Sequence, residues 1–137
     1  MERNTRQRSA IQKVIDDASR PLTPQEILEA AQVEVVGLGI ATVYRNLKTM
    51  LEAHLIELVM LPGDNPRYES CKAAAHHHHH FQCRKCNKVF DVQGCVDGYQ
   101  RLAPAGFTVE SHELTLYGIC ADCKSSLSYL QRWITPL

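Results

Sequence analysis

Cysteines in the second half of the chain are the residues most able to do chemistry. Two pairs with the same spacing, Cys83-x-x-Cys86 and Cys120-x-x-Cys123, are separated by 33 residues. A C-x-x-C turn presents two sulfur atoms to one ion, and structural zinc prefers four thiolate or imidazole ligands in a tetrahedron. We therefore predict one closed zinc site with no open position for catalysis. Two redox-active motifs or disulfides are the alternative.

A run of five histidines, His76 to His80, lies just before the first cysteine pair. In an extended segment alternate side chains face opposite ways. His78 and His80 would then point to one side, and His77 and His79 to the other. One run can thus supply ligands to two separate metal sites. The alternative is a solvated histidine-rich loop.

Partners for these histidines can be sought by residue type and position. Cys71 is a soft ligand just before the run, and Glu57 lies on a predicted hairpin strand. His112 falls in a predicted strand and Asp97 precedes a predicted helix, although His112 could equally be a histidine without metal. Sulfur together with imidazole favours zinc over ferrous iron. Cys95 has no obvious partner and is expected to be a small buried residue.

Composition sets limits on the class of protein. The 137 residues are 45% hydrophobic and 22% charged, with a formal net charge of zero. No apolar run is long enough to span a membrane and no secretory pattern is present, so we expect a cytoplasmic protein with metal-binding cysteines. Residues 1–70 carry 8 Lys and Arg against 10 Asp and Glu. Any binding of nucleic acid must therefore depend on local basic residues, such as those of the first helix.

The first half of the chain reads as three helices followed by a hairpin. Thr23 and Glu26 flank Pro24 in the pattern of a capping box, which marks a helix start. Three helices and a hairpin describe a winged helix-turn-helix. The predicted elements are helices at 5–18, 24–32 and from Ala41, a strand at 55–61, a turn at 62–66 and a return strand from Arg67.

The second half reads as a small α+β domain that is poor in core and stapled by zinc. We therefore predict an α+β fold with an N-terminal winged-helix domain at residues 1–72 and a C-terminal domain at 73–137. The predicted elements of the second domain are strands at 78–84, 88–92 and 107–118 and helices near 96–102 and 124–133.

Three motifs together resemble the ferric uptake regulator family, and the resemblance spans residues 5–125. The first is Ala-Thr-Val-Tyr-Arg-Asn-Leu at 41–47. The second is the histidine run followed by Phe-Gln-Cys-Arg-Lys-Cys at 81–86. The third is His112-x-x-Leu-x-Leu-Tyr-Gly-x-Cys-x-x-Cys. The resemblance implies a dimeric, metal-responsive transcription factor with a winged helix and a C-terminal dimerisation domain.

The resemblance also implies which residues contact DNA. Tyr44 and Arg45 match the paired DNA-contacting positions of the family, where Arg could bond to guanine. The alternative for both is an ordinary solvated helix face. Basic residues on the first and third helices would contact phosphates. The DNA-binding candidates are Thr42, Tyr44, Arg45, Lys48, Arg6 and Arg8, and the expected partner is an AT-rich palindromic operator bound by a homodimer.

Within the family, the zinc uptake regulator branch resembles this chain best. Its sensing site uses a hairpin Asp or His, a cysteine and two alternating histidines, positions matched here by Glu57, Cys71, His78 and His80. Iron and peroxide sensors usually supply a histidine before the second helix, where this chain has Arg20-Pro21-Leu22.

A second metal site of the family is also matched. Its residues here are His77, His79, Asp97 and His112, with Asp97 as the nearest acidic donor. The loop between Cys71 and the histidine run is longer than usual in the family, so His76 is a competing ligand.

The combined prediction is a repressor that binds operator DNA as a dimer when loaded with zinc. An iron-responsive regulator of the same family is the main alternative, and Fe²⁺ could take the regulatory site. A zinc storage or chaperone module would have no use for the Tyr44–Arg45 helix. An enzyme is not expected, because His112-Glu113 lacks the second histidine of an H-E-x-x-H motif. A small-molecule substrate and a membrane partner are not expected either.

Overall fold

The structure is a computed structural model that describes residues 2–71, 79–94 and 98–125. The chain divides into two compact units, Met1–His77 and His78–Leu137, and each is described by itself. The predicted boundary between residues 72 and 73 lies outside the described residues. No helix in the described ranges is long and apolar enough to cross a membrane.

Three helices form the core of the first unit: α1 at Glu2–Ala18, α2 at Pro24–Ala31 and α3 at Ile40–Glu52. Thr23 caps α2 as predicted, because its side chain accepts from the Glu26 N–H and the Glu26 carboxylate accepts from the Thr23 N–H. Apolar side chains three or four positions apart face inward from each helix. The buried set includes Ile11, Ile15, Ile27, Ala31, Val43, Leu47 and Met50.

A two-stranded hairpin follows α3. Strand β1 (Ile56–Val59) pairs antiparallel with β2 (Arg67–Ser70), and Glu57 lies directly opposite Glu69. Backbone bonds of 2.8 Å in both directions between Leu22 and Tyr68 join the α1–α2 connection to β2. Three helices and a wing held in this way form the predicted winged helix.

A buried ion-pair network fastens α2 to the hairpin. Arg67 is only 4% exposed. Its Nε donates to Asp64 Oδ2 at 2.6 Å, and its Nη1 lies 3.5 Å from Glu26 Oε1. The other oxygen of Glu26 accepts from Arg20 Nη2 at 2.7 Å. A single carboxylate therefore caps a helix and joins two guanidinium groups.

The second unit is built on a three-stranded sheet. Strands β3 (His79–Cys83) and β4 (Val89–Val92) pair antiparallel, and β5 (Thr115–Gly118) pairs parallel with β3. A 3₁₀ turn at Tyr99–Leu102 and a short helix α4 at Ala121–Lys124 complete the described part. The mixture of helices and small sheets confirms the predicted α+β class.

The predicted strand at 107–118 is wrong over most of its length, because β5 begins only at Thr115. The Gln100 side chain explains the difference. Its Nε2 donates to the Phe107 carbonyl at 2.7 Å, and its Oε1 accepts from the Val109 N–H at 2.9 Å. These bonds occupy backbone groups that a strand would pair at the start of the predicted segment. His112 lies in the irregular stretch before β5.

The network around Glu26 predicts a pH-dependent contribution to stability. Burial raises the pKa of Glu26, but hydrogen bonds from Arg20 and the Thr23 N–H, with the charges of Arg20 and Arg67, outweigh it and lower the pKa overall. The ionised form therefore stabilises the fold above the ordinary glutamate pKa of about 4, and this stabilisation is lost as the pH falls through the lowered value. Glu26→Gln keeps a capping oxygen but loses the charge.

We expect Glu26→Gln to lower the free energy of unfolding by about 1 kcal/mol near neutral pH, because two charge-assisted contacts are lost. The deficit should shrink towards zero below about pH 4. Urea unfolding of both proteins across this range measures it, and metal release in acid cancels because the proteins are compared at each pH. A deficit that is the same at every pH would contradict the assignment.

Candidate metal centres and nucleic-acid interface

The parallel pairing of β3 with β5 brings the two cysteine pairs together. Cys83 is the last residue of β3 and lies opposite Gly118, the last residue of β5. Each strand then runs directly into its C-x-x-C turn at the same edge of the sheet. The Arg84 N–H donates to the Gly118 carbonyl at 2.7 Å, which continues the pairing into the turn. The register between β3 and β5 thus brings together two cysteine pairs that are separated by 33 residues in the chain.

The four sulfur atoms have the geometry of a zinc site. The thiols of Cys83, Cys86, Cys120 and Cys123 all lie within 4.8 Å of one another. The Sγ atoms of Cys86 and Cys120 are 3.8 Å apart. A tetrahedron with Zn–S bonds of about 2.3 Å has edges of about 3.8 Å. The donor set and the spacing therefore fit a structural zinc ion, as predicted.

The protonation of these thiols differs within the cluster. Burial raises the pKa of Cys83, but backbone N–H groups of Cys86, Cys120 and Lys85 outweigh this and bring it to about 6. Desolvation and the neighbouring thiols raise the pKa of Cys123 to about 12. The backbone thus stabilises one thiolate, whereas ionisation of Cys123 at neutral pH would require a bound cation. Zn²⁺ would supply that charge.

His79 and His112 approach each other in the second unit. Their ring centroids are 5.0 Å apart, and the His112 ring stacks on Tyr99 at 4.0 Å. His79 is 2% exposed, and its Nδ1 accepts from the Leu114 N–H at 3.2 Å. A neutral imidazole has one nitrogen lone pair. Metal binding at His79 therefore requires this hydrogen bond to break.

His80 contacts a carboxylate that the sequence did not suggest. His80 and Asp91 are cross-strand partners on β3 and β4, and His80 Nε2 lies 3.4 Å from Asp91 Oδ1. Both side chains are mostly buried. His79 and His80 thus reach different partners, as expected for neighbours on a strand. Asp91 is identified as a partner of His80 only by the register between β3 and β4. The sequence alone does not give this register.

In the first unit, Cys71 lies at the base of the hairpin beside two carboxylates. Its Sγ donates to the His54 carbonyl at 3.0 Å. Desolvation first, then the charges of Glu57 and Glu69, raise the pKa of the Cys71 thiol. Glu57 is exposed and Glu69 is 3% exposed. Without metal, Cys71 is therefore a neutral thiol. A bound divalent cation would lower the pKa of this thiol and so oppose the effect of both carboxylates.

The exposed face of α3 carries the predicted DNA contacts. Tyr44 is 54% exposed, and Arg45 and Lys48 are also exposed. Thr42 accepts from Arg45 Nη2 at 3.0 Å, which orients the guanidinium along the helix. On α1, Arg6 and Arg8 are both exposed, and Arg6 Nη2 donates to the Glu34 carbonyl at 3.4 Å.

Several predicted site residues fall outside the described ranges. The structure therefore gives one of the two histidines proposed for the regulatory site and two of the four residues proposed for the second site. The residues outside are His76, His77, His78, Cys95 and Asp97.

Comparison with known proteins places the chain among metal regulators. A family model described as "Ferric uptake regulator family" matches residues 2–117. The ferric uptake regulation protein of Campylobacter jejuni is 31% identical over 126 residues, covering 88% of this chain and 79% of the relative. The zinc uptake regulation protein of Mycobacterium tuberculosis is 30% identical over 126 residues, covering 90% and 95%.

A solved structure shows the same relationship. The ferric uptake regulator of Francisella tularensis with iron is 25% identical, with a TM-score of 0.64 over 87% of this chain and 92% of the other. The matches therefore include regulators named for iron and for zinc.

The cysteine cluster predicts a specific effect of Cys120→Ser. We expect the variant to lose one tightly held zinc ion per chain and the second unit to lose its fold, because structural zinc contributes on the order of 10 kcal/mol. Zinc content after dialysis against a mild chelator, together with circular dichroism, measures this. Cys71→Ser is the matched control and should retain the ion. A Cys120→Ser protein that keeps its tightly held zinc ion and its circular dichroism would contradict the four-cysteine site.

Proposed function

Because this chain belongs to the ferric uptake regulator family, whose members are metal-responsive transcriptional regulators, we propose that it is a zinc-responsive repressor. It binds operator DNA as a homodimer in the cytoplasm when zinc is abundant. The family consists of regulators and not of enzymes. The proposed operator is an AT-rich palindrome, since two-fold symmetric dimers read two related half-sites.

The placement of Cys71 carries the choice of zinc. A thiol near Glu57 and Glu69 at the base of the wing offers a soft ligand close to two hard ones. Thiolate ligands select zinc among the common divalent metals, whereas ferrous iron prefers nitrogen and oxygen donors. In this proposal the regulatory ligands are Glu57, Cys71, His78 and His80.

In this proposal, zinc bound by these ligands strengthens the binding of operator DNA. A coupling of about 1–3 kcal/mol is typical of allosteric proteins, and by reciprocity operator DNA would tighten metal binding equally.

The DNA contacts in this proposal come from α3 and α1. Tyr44 and Arg45 contact bases in the major groove, and Thr42 orients Arg45 through its hydroxyl. Lys48 and Arg8 contact phosphates. Arg6 stays a candidate for a phosphate, but it would first have to leave the Glu34 carbonyl.

The second metal site is proposed to fill only after a hydrogen bond to His79 breaks. Its ligands would be His77, His79, Asp97 and His112. The bond from Leu114 N–H to His79 Nδ1 must give way before that nitrogen can bind an ion. We therefore propose that this site fills at higher metal concentration than the regulatory site.

An iron-responsive regulator is the second candidate, and the His80–Asp91 contact favours it. An imidazole 3.4 Å from a mostly buried carboxylate supplies nitrogen and oxygen donors without sulfur. Such donors suit Fe²⁺. In that case Asp91 would replace Cys71 as the residue that determines the metal.

Zinc titration tests the proposed function directly. We expect operator binding in a gel-shift assay to strengthen at least about tenfold between zinc-limited and zinc-replete buffer, the effect of about 1.4 kcal/mol of coupling. The four cysteines must remain metallated throughout, which a parallel zinc assay verifies. Equal affinity in both buffers would refute the sensor.

Two conservative variants separate zinc from iron sensing. We expect Cys71→Ser to remove most of the zinc response, because it loses the thiolate, while Asp91→Asn retains it. The same assay is repeated with Fe²⁺ without oxygen. Loss of an iron response in Asp91→Asn, together with an unchanged response in Cys71→Ser, would favour the iron regulator.

A further inference from the structure

Three rings form one stack in the second unit. The ring centroids of Tyr99 and His112 are 4.0 Å apart, with 22° between the ring planes. The ring of His79 lies 5.0 Å from that of His112, at 36°. His79 is buried and the other two side chains are half-buried. The three-ring stack therefore ends on a buried imidazole and has His112 in its middle.

A tight turn brings the Tyr99 ring to this place. Tyr99–Leu102 is a 3₁₀ turn, and Gly98 at its N-cap has a φ of 95°. Residues other than glycine rarely adopt this left-handed conformation. The Arg101 N–H donates to the Gly98 carbonyl at 3.1 Å and closes the turn. Tyr99 is therefore the first residue of a turn whose direction Gly98 fixes.

Gln100 ties the same turn to the segment that carries His112. Its side chain donates to the Phe107 carbonyl at 2.7 Å and accepts from the Val109 N–H at 2.9 Å. His112 follows shortly after Val109 in the chain. Because one amide bonds two backbone groups, a movement of the segment along the turn would break both bonds. The backbone on either side of the Tyr99–His112 contact is thus held in place.

Stacking restricts an imidazole without using its nitrogens. The lone pair that binds a metal ion lies in the ring plane, at the edge of the ring. Tyr99 contacts the face of His112. Imidazole nitrogens are good ligands for Zn²⁺ and other divalent first-row metals. The Tyr99 contact therefore restricts the plane of His112 and leaves its metal-binding chemistry unchanged.

His79, at the other end of the stack, is oriented in a different way. The Leu114 N–H donates to its Nδ1 at 3.2 Å, so the bond that orients this ring engages a metal-binding nitrogen. The Tyr99 contact with His112 has no such cost. The two histidines of the stack thus differ in what must change before an ion can bind.

We propose that Tyr99 is a positioning residue for the second metal site and holds His112 in the orientation that binds the ion. This inference rests on the proposed function, which names His112 as a ligand of that site, and adds the residue that prepares this ligand. Fixing a ligand before the ion arrives reduces the conformational freedom that is lost on binding. Tyr99 itself contacts no ion and acts through His112.

Zinc binding at His112 itself tests the proposal. The imidazole nitrogen signals of the full chain are followed by NMR while Zn²⁺ is added to protein whose cysteine cluster is already loaded, and His112→Gln identifies the signal. We expect Tyr99→Leu to raise the zinc concentration at the midpoint of the His112 response about fivefold, from the typical strength of one aromatic contact. Tyr99→Phe keeps the ring and should restore the wild-type midpoint.

A metal-free signal and a control variant separate positioning from packing. The Tyr99 ring current shifts the ring protons of His112 before zinc is added, and this shift should be lost in Tyr99→Leu and kept in Tyr99→Phe. Tyr117→Leu is the matched control, the same change at an exposed tyrosine of β5 in the same unit. It should leave the His112 midpoint unchanged, and an equal rise in both variants would count against the proposal.

The remaining outcomes are distinct. A Tyr99→Leu protein that loses the ring-current shift but keeps the zinc midpoint would make Tyr99 a packing residue, and a lower midpoint would mean that the stack obstructs the ion. Either result overturns the proposal. A wild-type His112 signal that never responds to zinc would remove the second metal site and this inference with it. If the signal responds while operator binding is indifferent to zinc, the repressor function fails and the positioning role stands.

Discussion

The pairing of β3 with β5 is the constraint on which the second unit depends. A parallel pair needs a long connection, and here that connection is the insertion between the cysteine turns. Once Cys83 lies opposite Gly118, the four sulfurs converge. His79, His80 and Cys83 all belong to the one central strand. Zinc bound by these sulfurs would fix the backbone that carries the two histidines.

The first unit depends on a different kind of fastening. Its helical core is apolar and would fold in the same way with many sequences. The hairpin, in contrast, is held by the Leu22–Tyr68 backbone bonds and by buried Arg67 between Asp64 and Glu26. Polar contacts of this type specify one position for the wing, because each partner has a fixed geometry. These contacts therefore fix the base of the wing, where Glu57 and Cys71 lie.

Features that depend on residues close together in the chain could be predicted from the sequence. Features that depend on which strands pair, and in which register, could not. The Thr23–Glu26 capping box and the C-x-x-C turns have fixed spacings, so both could be found without a structure. The strand at 107–118 could not be delimited, since Gln100 removes its backbone groups from pairing. Asp91 was missed because its contact with His80 follows from the β3–β4 register.

The register of the wing has a consequence of its own. Glu57 and Glu69 are direct cross-strand partners. Like charges in that position oppose strand pairing. A cation near them would turn repulsion into shared attraction. Under the proposed function, an ion bound near these two carboxylates would therefore stabilise the pairing of β1 with β2.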